Sequence, residues 1–281
     1  MERDTYLDSA KAVLIFFVIL GHCITRLGEN SECITLLFNL IYSFHMPLFV
    51  FVSGYFFNPN KGRSSIIRNC IELFSTYLLF QLIWNIIRPP HSLSSVLSPA
   101  VTLWYLLCLV YWKLILLFAK NWIDAKLLIC VVLLSILVGF VPIGTQLSFQ
   151  RLFTFFPFFV AGNLLRGRLL VKIKDFLKKW VSIGLLIAVI VGLSFIDTQW
   201  KWLLFGDCSY YDFPCRLVVA PLFRFGYYVF ASFLSVLIMA LIPDRRILAS
   251  IGTKTMTIYL FHFFPIGGLK LLGIKTDSII L

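Results

Sequence analysis

Nine apolar runs, most of them close to twenty residues long, recur along this 281-residue chain, near 10–27, 33–57, 66–87, 101–118, 126–141, 148–165, 180–196, 217–242 and 247–264. A bilayer core of about 30 Å is crossed by about 20 helical residues. Lipid offers no partner to an open backbone N–H or C=O, so each run must close its hydrogen bonds within itself, as a helix. The runs are continuous and do not alternate, which excludes a β-barrel. A soluble chain is about 45–50% apolar, whereas this one is 60% hydrophobic and only 14% charged, more apolar surface than one soluble core hides. The expectation is an all-α polytopic integral membrane protein with about 9–10 transmembrane helices, forming one membrane domain over residues 1–281. The residues after Phe264 carry two glycines, Lys270 and Lys275, so the last helix is expected to be short or missing.

The net charge of +12 does not make this a nucleic-acid-binding chain, because the cations sit in short loops between the runs. If the N-terminus is cytoplasmic, seventeen Lys and Arg face inward: Arg3, Lys11, Lys61, Arg63, Arg68, Lys113, Lys120, Lys126, Arg166, Arg168, Lys172, Lys174, Lys178, Lys179, Arg245, Arg246 and Lys254. Five face outward: Arg26, Arg88, Arg151, Lys201 and Arg216. The positive-inside bias therefore orients the N-terminus to the cytoplasm. The first run has no small-residue cleavage site after it and carries polar residues that a signal peptide does not need. Cys208 and Cys215 share one loop, and a disulfide between them is open if that loop is extracytoplasmic.

Ionisable residues inside a bilayer are costly, and each is a candidate for function. In the first run, Asp8 and Lys11 are an i,i+3 pair. Lys11 and His22 lie eleven residues apart, which returns to within roughly 20° of one direction on a helix. The three share a face. The second run places His45 beside Pro47, and the ninth holds Tyr259 and His262 at i,i+3. Counted along the helix rise from the cytoplasmic edge, His22 and His45 reach about 18 Å and His262 slightly further. Three of the four histidines thus fall in one layer, where imidazoles suit proton transfer near neutral pH. A metal site is the weaker reading, because no acidic residue lies at that depth, and none is assigned. Lys61, Arg63 and Arg68 are read as phosphate ligands or as topology signals. Trp104, Arg151 and Arg224 lie toward the outer side. The run Phe155–Gly162 reads as a bent helix with close packing at its glycine.

These residues resemble the membrane acyltransferase 3 family. Lys11-x10-His22, with Asp8, is similar to its Arg/Lys-x10-His motif. Tyr42-Ser-Phe-His-Met-Pro-Leu-Phe49 through Ser53-Gly54-Tyr55 is similar to its second span, above all in the fucose 4-O-acetylase-like, polysaccharide O-acetyltransferase branch. Leu103-Trp104-Tyr105, Phe156-Pro157-Phe158-Phe159 through Gly162, and Ile258-Tyr259-Leu260-Phe261-His262 follow in order. Two departures stand out: the basic pair near the third span is spaced Arg63 to Arg68, and the last helix is short.

The resemblance implies about ten helices and transfer of an acetyl or other acyl group from acyl-CoA, with acetyl-CoA as co-substrate. The acceptor is a sugar hydroxyl of a cell-envelope polysaccharide or its lipid-linked oligosaccharide precursor. It implies catalysis by His22, Lys11, Asp8 and His45. Arg63, Arg68, Ser53, Tyr259 and His262 fall to the donor, and Trp104, Arg151 and Arg224 to the acceptor. It also implies a multi-pass protein of the cell membrane, of the bacterial cytoplasmic membrane, partnered by the lipid bilayer and not by nucleic acid. A homo-oligomer is left open. Two other readings stand beside the enzyme: a glycan or solute transporter or flippase, and a non-catalytic family member.

Overall fold

The computed structural model describes residues 4–25, 31–167 and 178–268. Arg3, Arg26, Arg168, Lys172, Lys174, Lys270 and Lys275 lie outside the described residues, as do the end of the first predicted run and the tail after Gly268. Every regular element among the described residues is helical, and helices stand at all nine predicted positions. Four are long and apolar enough to cross a membrane: α1 Thr5–Ile24, α2 Glu32–Phe56, α3 Arg63–Ile87 and α10 Ala220–Leu241. Shorter helices fill the chain between them. These are α4 Leu93–Leu97, α5 Trp104–Phe118, α6 Ala125–Val138, α7 Phe149–Leu164, α8 Lys179–Ser194 and α9 Lys201–Leu204. The chain is an all-α polytopic membrane protein. Its outward residues agree with lipid as solvent. On α3, Ile71, Phe74, Leu78, Leu82 and Ile86 are all exposed, and in water such a stripe would be an aggregation surface.

The ninth predicted run is three helices, α11 Arg246–Gly252, α12 Thr255–Phe261 and α13 Phe263–Gly268. The break after Gly252 leaves carbonyls without helical partners. Hydroxyls take their place: Thr253 Oγ1 donates to the Ser250 carbonyl at 2.7 Å and Thr255 Oγ1 donates to the Gly252 carbonyl. These hydroxyls satisfy carbonyls that a helix end leaves open.

The chain divides into two compact units. The first holds the described residues up to Val52, those of Gly167–Leu204, and those from Tyr227 onward. Its centre is α1. Asp4 caps that helix, accepting from the Tyr6 and Leu7 amides, which is why it starts earlier than the apolar run and takes in the polar segment Thr5–Lys11. A cap of this kind is worth about 1 kcal/mol. The segment is buried against α11. Ser9 Oγ donates to the Arg245 carbonyl at 3.0 Å, and Tyr6 OH donates to the Met239 carbonyl at 2.5 Å. Gly252 meets the Asp8 backbone so closely that a Cβ there would collide with the Asp8 carbonyl. Farther along the unit, Asn39 of α2 brackets the segment after α8. Its Nδ2 donates to the Thr198 carbonyl and its Oδ1 accepts from the Trp200 amide, both at 3.0 Å.

The second unit comprises Ser53–Arg166 and Phe205–Gly226. The end of α2 lies directly on α7, where a Cβ on Gly54 would strike the Phe159 carbonyl. Small residues let membrane helices approach this closely. Close packing is expected on this helix at its own Gly162; the close contact seen at Phe159 is made by Gly54 of α2. Asn163 Nδ2 donates to the Phe57 carbonyl at 2.6 Å, just past the end of α2, and to the Gly54 carbonyl at 3.1 Å, which also accepts from the Phe57 amide. Tyr210 serves α6 likewise. Its amide donates to the Gly139 carbonyl at 2.7 Å and its hydroxyl to the Ile136 carbonyl at 2.8 Å. Cys208 and Cys215 are both free thiols. Burial, then the neighbouring Asp207 carboxylate, pushes the Cys208 thiol up to about 12.

Gly54→Val and Gly252→Val should each lower the melting temperature in detergent. Forcing atoms into a closed contact costs about 1–3 kcal/mol, and melting temperatures equal to wild type would disprove either backbone contact. Cys208 should resist alkylation between about pH 7 and pH 9, because only the thiolate reacts. Mass spectrometry after maleimide treatment checks this, and rapid labelling of Cys208 at pH 7 would contradict the burial.

Candidate functional site

In the first unit, the helix carries the predicted stripe intact. Asp8 and Lys11 form an ion pair at 2.8 Å, with the carboxylate side chain 4% exposed and the ammonium 25%. A buried carboxylate with a cation one turn away is a paired charge, the form in which charge is tolerated in a low-dielectric interior. α1 runs unbroken from Lys11 to His22. At the far end, the His22 ring lies 5.4 Å from the His262 ring, centroid to centroid, with 32° between the planes. Phe263 meets His22 edge-on at 5.5 Å. His262 stands at the junction of α12 and α13. It is buried, and its Nδ1 is 2.7 Å from the Tyr259 carbonyl oxygen. The Tyr259 ring is 6.1 Å away. The structure therefore brings together His22, His262 and Tyr259 from opposite ends of the sequence.

His45 does not join that group among the described residues. It is buried within its own helix, with Nδ1 2.7 Å from the Ile41 carbonyl oxygen and its ring edge-on to Tyr42 at 4.7 Å. Tyr42 in turn stacks on Phe38 at 4.3 Å and lines the Gly21 turn of α1. Common depth in the bilayer put three histidines on one level. Side-chain direction decides which of them meet.

In the second unit, a cavity of about 400 Å³ opens where α2 ends and α3 begins. Ser53, Asn58, Lys61, Ser65, Arg68, Asn69, Glu72 and Lys113 supply its polar wall, and Phe56, Phe57 and Ile66 its apolar one. Three cations face one carboxylate, an arrangement that favours an anionic guest. Lys113 Nζ donates to Asn69 Oδ1 at 2.7 Å, and Ser53 Oγ lies 2.6 Å from the Tyr105 hydroxyl. Ser53 and Arg68 of the predicted donor set meet here. Arg63 is elsewhere, its guanidinium 5.6 Å from the Phe118 ring. Lys113 was visible in the sequence only as a loop-proximal cation, because no local spacing links residue 113 to residue 68.

Trp104, Arg151 and Arg224 converge around the segment after Phe205. Arg151 lies over Trp104 at 5.0 Å, donates from Nε to the Phe205 carbonyl at 3.1 Å, and pairs with Asp207 at 2.5 Å. Arg224 is 1% exposed. It donates to Thr154 Oγ1, and to the Cys208 carbonyl at 3.1 Å. Its guanidinium sits 5.3 Å from the Tyr210 ring and 5.8 Å from the Phe213 ring. Trp104 stacks on Phe155 at 5.2 Å. Both guanidinium groups thus hold the 205–213 segment in place. Sequence reasoning missed Asp207 and Thr154, since an ion pair across 56 residues leaves no periodic signal. It also missed Gly252, Asn163 and Asn39. The two asparagines were findable as amides inside apolar runs.

A family profile described as an acyltransferase domain matches residues 4–280. Among curated proteins, the chain is 37% identical over 86 residues to nodulation protein NolL of Mesorhizobium japonicum, covering 30% of this chain and 23% of that protein. It is 33% identical over 86 residues to nodulation protein NolL of Sinorhizobium fredii, covering 30% and 24%. The chain thus aligns with about a quarter of the length of these relatives. No solved structure matches. With a family profile running from Asp4, the cap of α1, through the histidine of the ninth run and beyond, the chain belongs to the acyltransferase 3 family of membrane proteins.

Proposed function

We propose that this protein is a membrane O-acyltransferase of the cell membrane. It moves an acetyl or other acyl group from acyl-CoA to a sugar hydroxyl of a cell-envelope polysaccharide or its lipid-linked precursor. The observation that carries the proposal is the meeting of His22, which ends the Lys-x10-His spacing, with the buried His262. An imidazole held in an apolar site by a fixed neighbour suits a general base. The cavity with Lys61, Arg68 and Lys113 suits phosphate groups of the donor, since clustered cations concentrate phosphate charge. Family membership supports the reaction class.

In this reading His22 takes the proton of the acceptor hydroxyl as its oxygen attacks the thioester carbonyl. The carbon–sulfur bond breaks, an ester carbon–oxygen bond forms, and the proton leaves with the CoA thiolate as free thiol. Asp8 fixes Lys11 on the same stripe, and Tyr259 packs beside the pair. Trp104, Arg151 and Arg224 serve the acceptor by holding the 205–213 segment in shape.

His22→Ala should abolish acyl transfer to glycan while the protein inserts and purifies normally. Transfer at the wild-type rate would sink the assignment of the base. Acetyl-CoA binding to detergent-purified protein should weaken about tenfold in Arg68→Gln combined with Lys113→Gln, a loss of about 1.4 kcal/mol, and weaken further with added salt. Calorimetry reads both, and an unchanged affinity would remove the donor phosphates from this cavity.

A further inference from the structure

His262 has a fixed polarity. Its Nδ1 lies 2.7 Å from the Tyr259 carbonyl oxygen. A carbonyl only accepts, so Nδ1 carries the hydrogen and donates it. In the neutral ring, Nε2 must then present a lone pair. That Nε2 is buried and has no hydrogen-bond partner, in a residue 6% exposed. A buried acceptor without a donor is costly, and native proteins rarely leave one open. The histidine is not there to fill space. A Phe or Leu would fill it without that penalty.

The neighbour that can use the lone pair is His22, whose ring is 5.4 Å away between centroids. Two imidazoles joined edge to edge by one N–H···N bond of about 3 Å have centroids roughly 5.3 Å apart. The observed spacing therefore needs only a turn of the rings to make the bond. The other groups packed on His262 are Tyr259 from its own helix and Phe263 from the next. Neither bears a charge at neutral pH.

Resting on the acyltransferase reading above, we propose that His262 is the positioning residue of the base: its Nε2 lone pair accepts a hydrogen bond from His22, orients that ring and stabilises it once it has taken the acceptor's proton. His262 itself touches neither donor nor acceptor. The Tyr259 carbonyl is the anchor that fixes the tautomer, as a carboxylate or carbonyl does behind other functional histidines. The bond strengthens when His22 becomes imidazolium, because a charged donor makes the stronger hydrogen bond.

The test compares His262→Phe, His262→Gln and His262→Asn in the purified full chain. His262→Phe should lower kcat about 10- to 100-fold, the worth of a charge-assisted hydrogen bond, with KM for acetyl-CoA and acceptor unchanged. Gln, whose amide oxygen reaches the Nε2 position, should recover part of the loss, and Asn, which reaches only the Nδ1 position, should not. An unchanged kcat in His262→Phe, a change confined to KM, or rescue by Asn as good as by Gln would overturn the proposal. If the Phe variant fails to fold, the Gln–Asn comparison decides alone. Nitrogen-15 histidine spectra give a readout independent of turnover. His262 should show a protonated Nδ1 and bare Nε2, and His22 should titrate at lower pH in the Gln-less variants than in wild type. A His22 titration indifferent to residue 262 would refute the pairing. Absence of transfer by wild type, with that titration coupling present, would instead refute the acyltransferase reading and leave the histidine pair standing.

Discussion

In lipid, a polar group that leaves its own helix must be met by another part of the protein, and this requirement shapes the structure at each place where regularity fails. The ends of α2 and α6 could not simply fray into solvent. Asn163 reaches the last carbonyls of α2, and Tyr210 reaches those of α6. The ninth run breaks twice, and the first break is sealed by Thr253 and Thr255. His262 closes α12, its amide donating to the Ile258 carbonyl at 2.9 Å, and at that end its ring meets His22.

Close backbone contacts then set the positions of the polar groups within each unit. Gly252 lies on the Asp8 backbone in the first unit, beside the buried carboxylate that pairs with Lys11. Gly54 lies on Phe159 in the second, and the adjoining Ser53 thereby lines the basic cavity. In both cases a missing side chain brings a functional candidate to its place. The same logic explains why the polar segment Thr5–Lys11 is helical and buried although it lies outside the apolar run. Asp4 caps its own first turn, Tyr6 reaches the Met239 carbonyl near the end of α10, and Ser9 reaches the Arg245 carbonyl just after it.

Arg151 and Arg224 illustrate how charge is accommodated. Arg151 has a carboxylate partner in Asp207. Arg224 has a hydroxyl, a carbonyl and two ring faces. These contacts give the 205–213 segment a defined shape with little regular secondary structure of its own. Cys208 is half-buried there as a free thiol.

Hydropathy alone determined the helical nature and the places of the nine apolar stretches, because helix formation in lipid is a local demand that each run satisfies by itself. It likewise determined the Asp8–Lys11 pair and the common stripe with His22, since both are periodicities of one helix. The tertiary structure decided what no periodicity encodes. It joined His22 to His262 and left His45 on its own helix, brought Lys113 to Arg68 and turned Arg63 toward Phe118. Those choices depend on the rotation and close approach of neighbouring helices, which glycines at 54 and 252 and the break after 252 control. A contact between residues 22 and 262 is written in no local pattern. It exists only once the helices between them have packed.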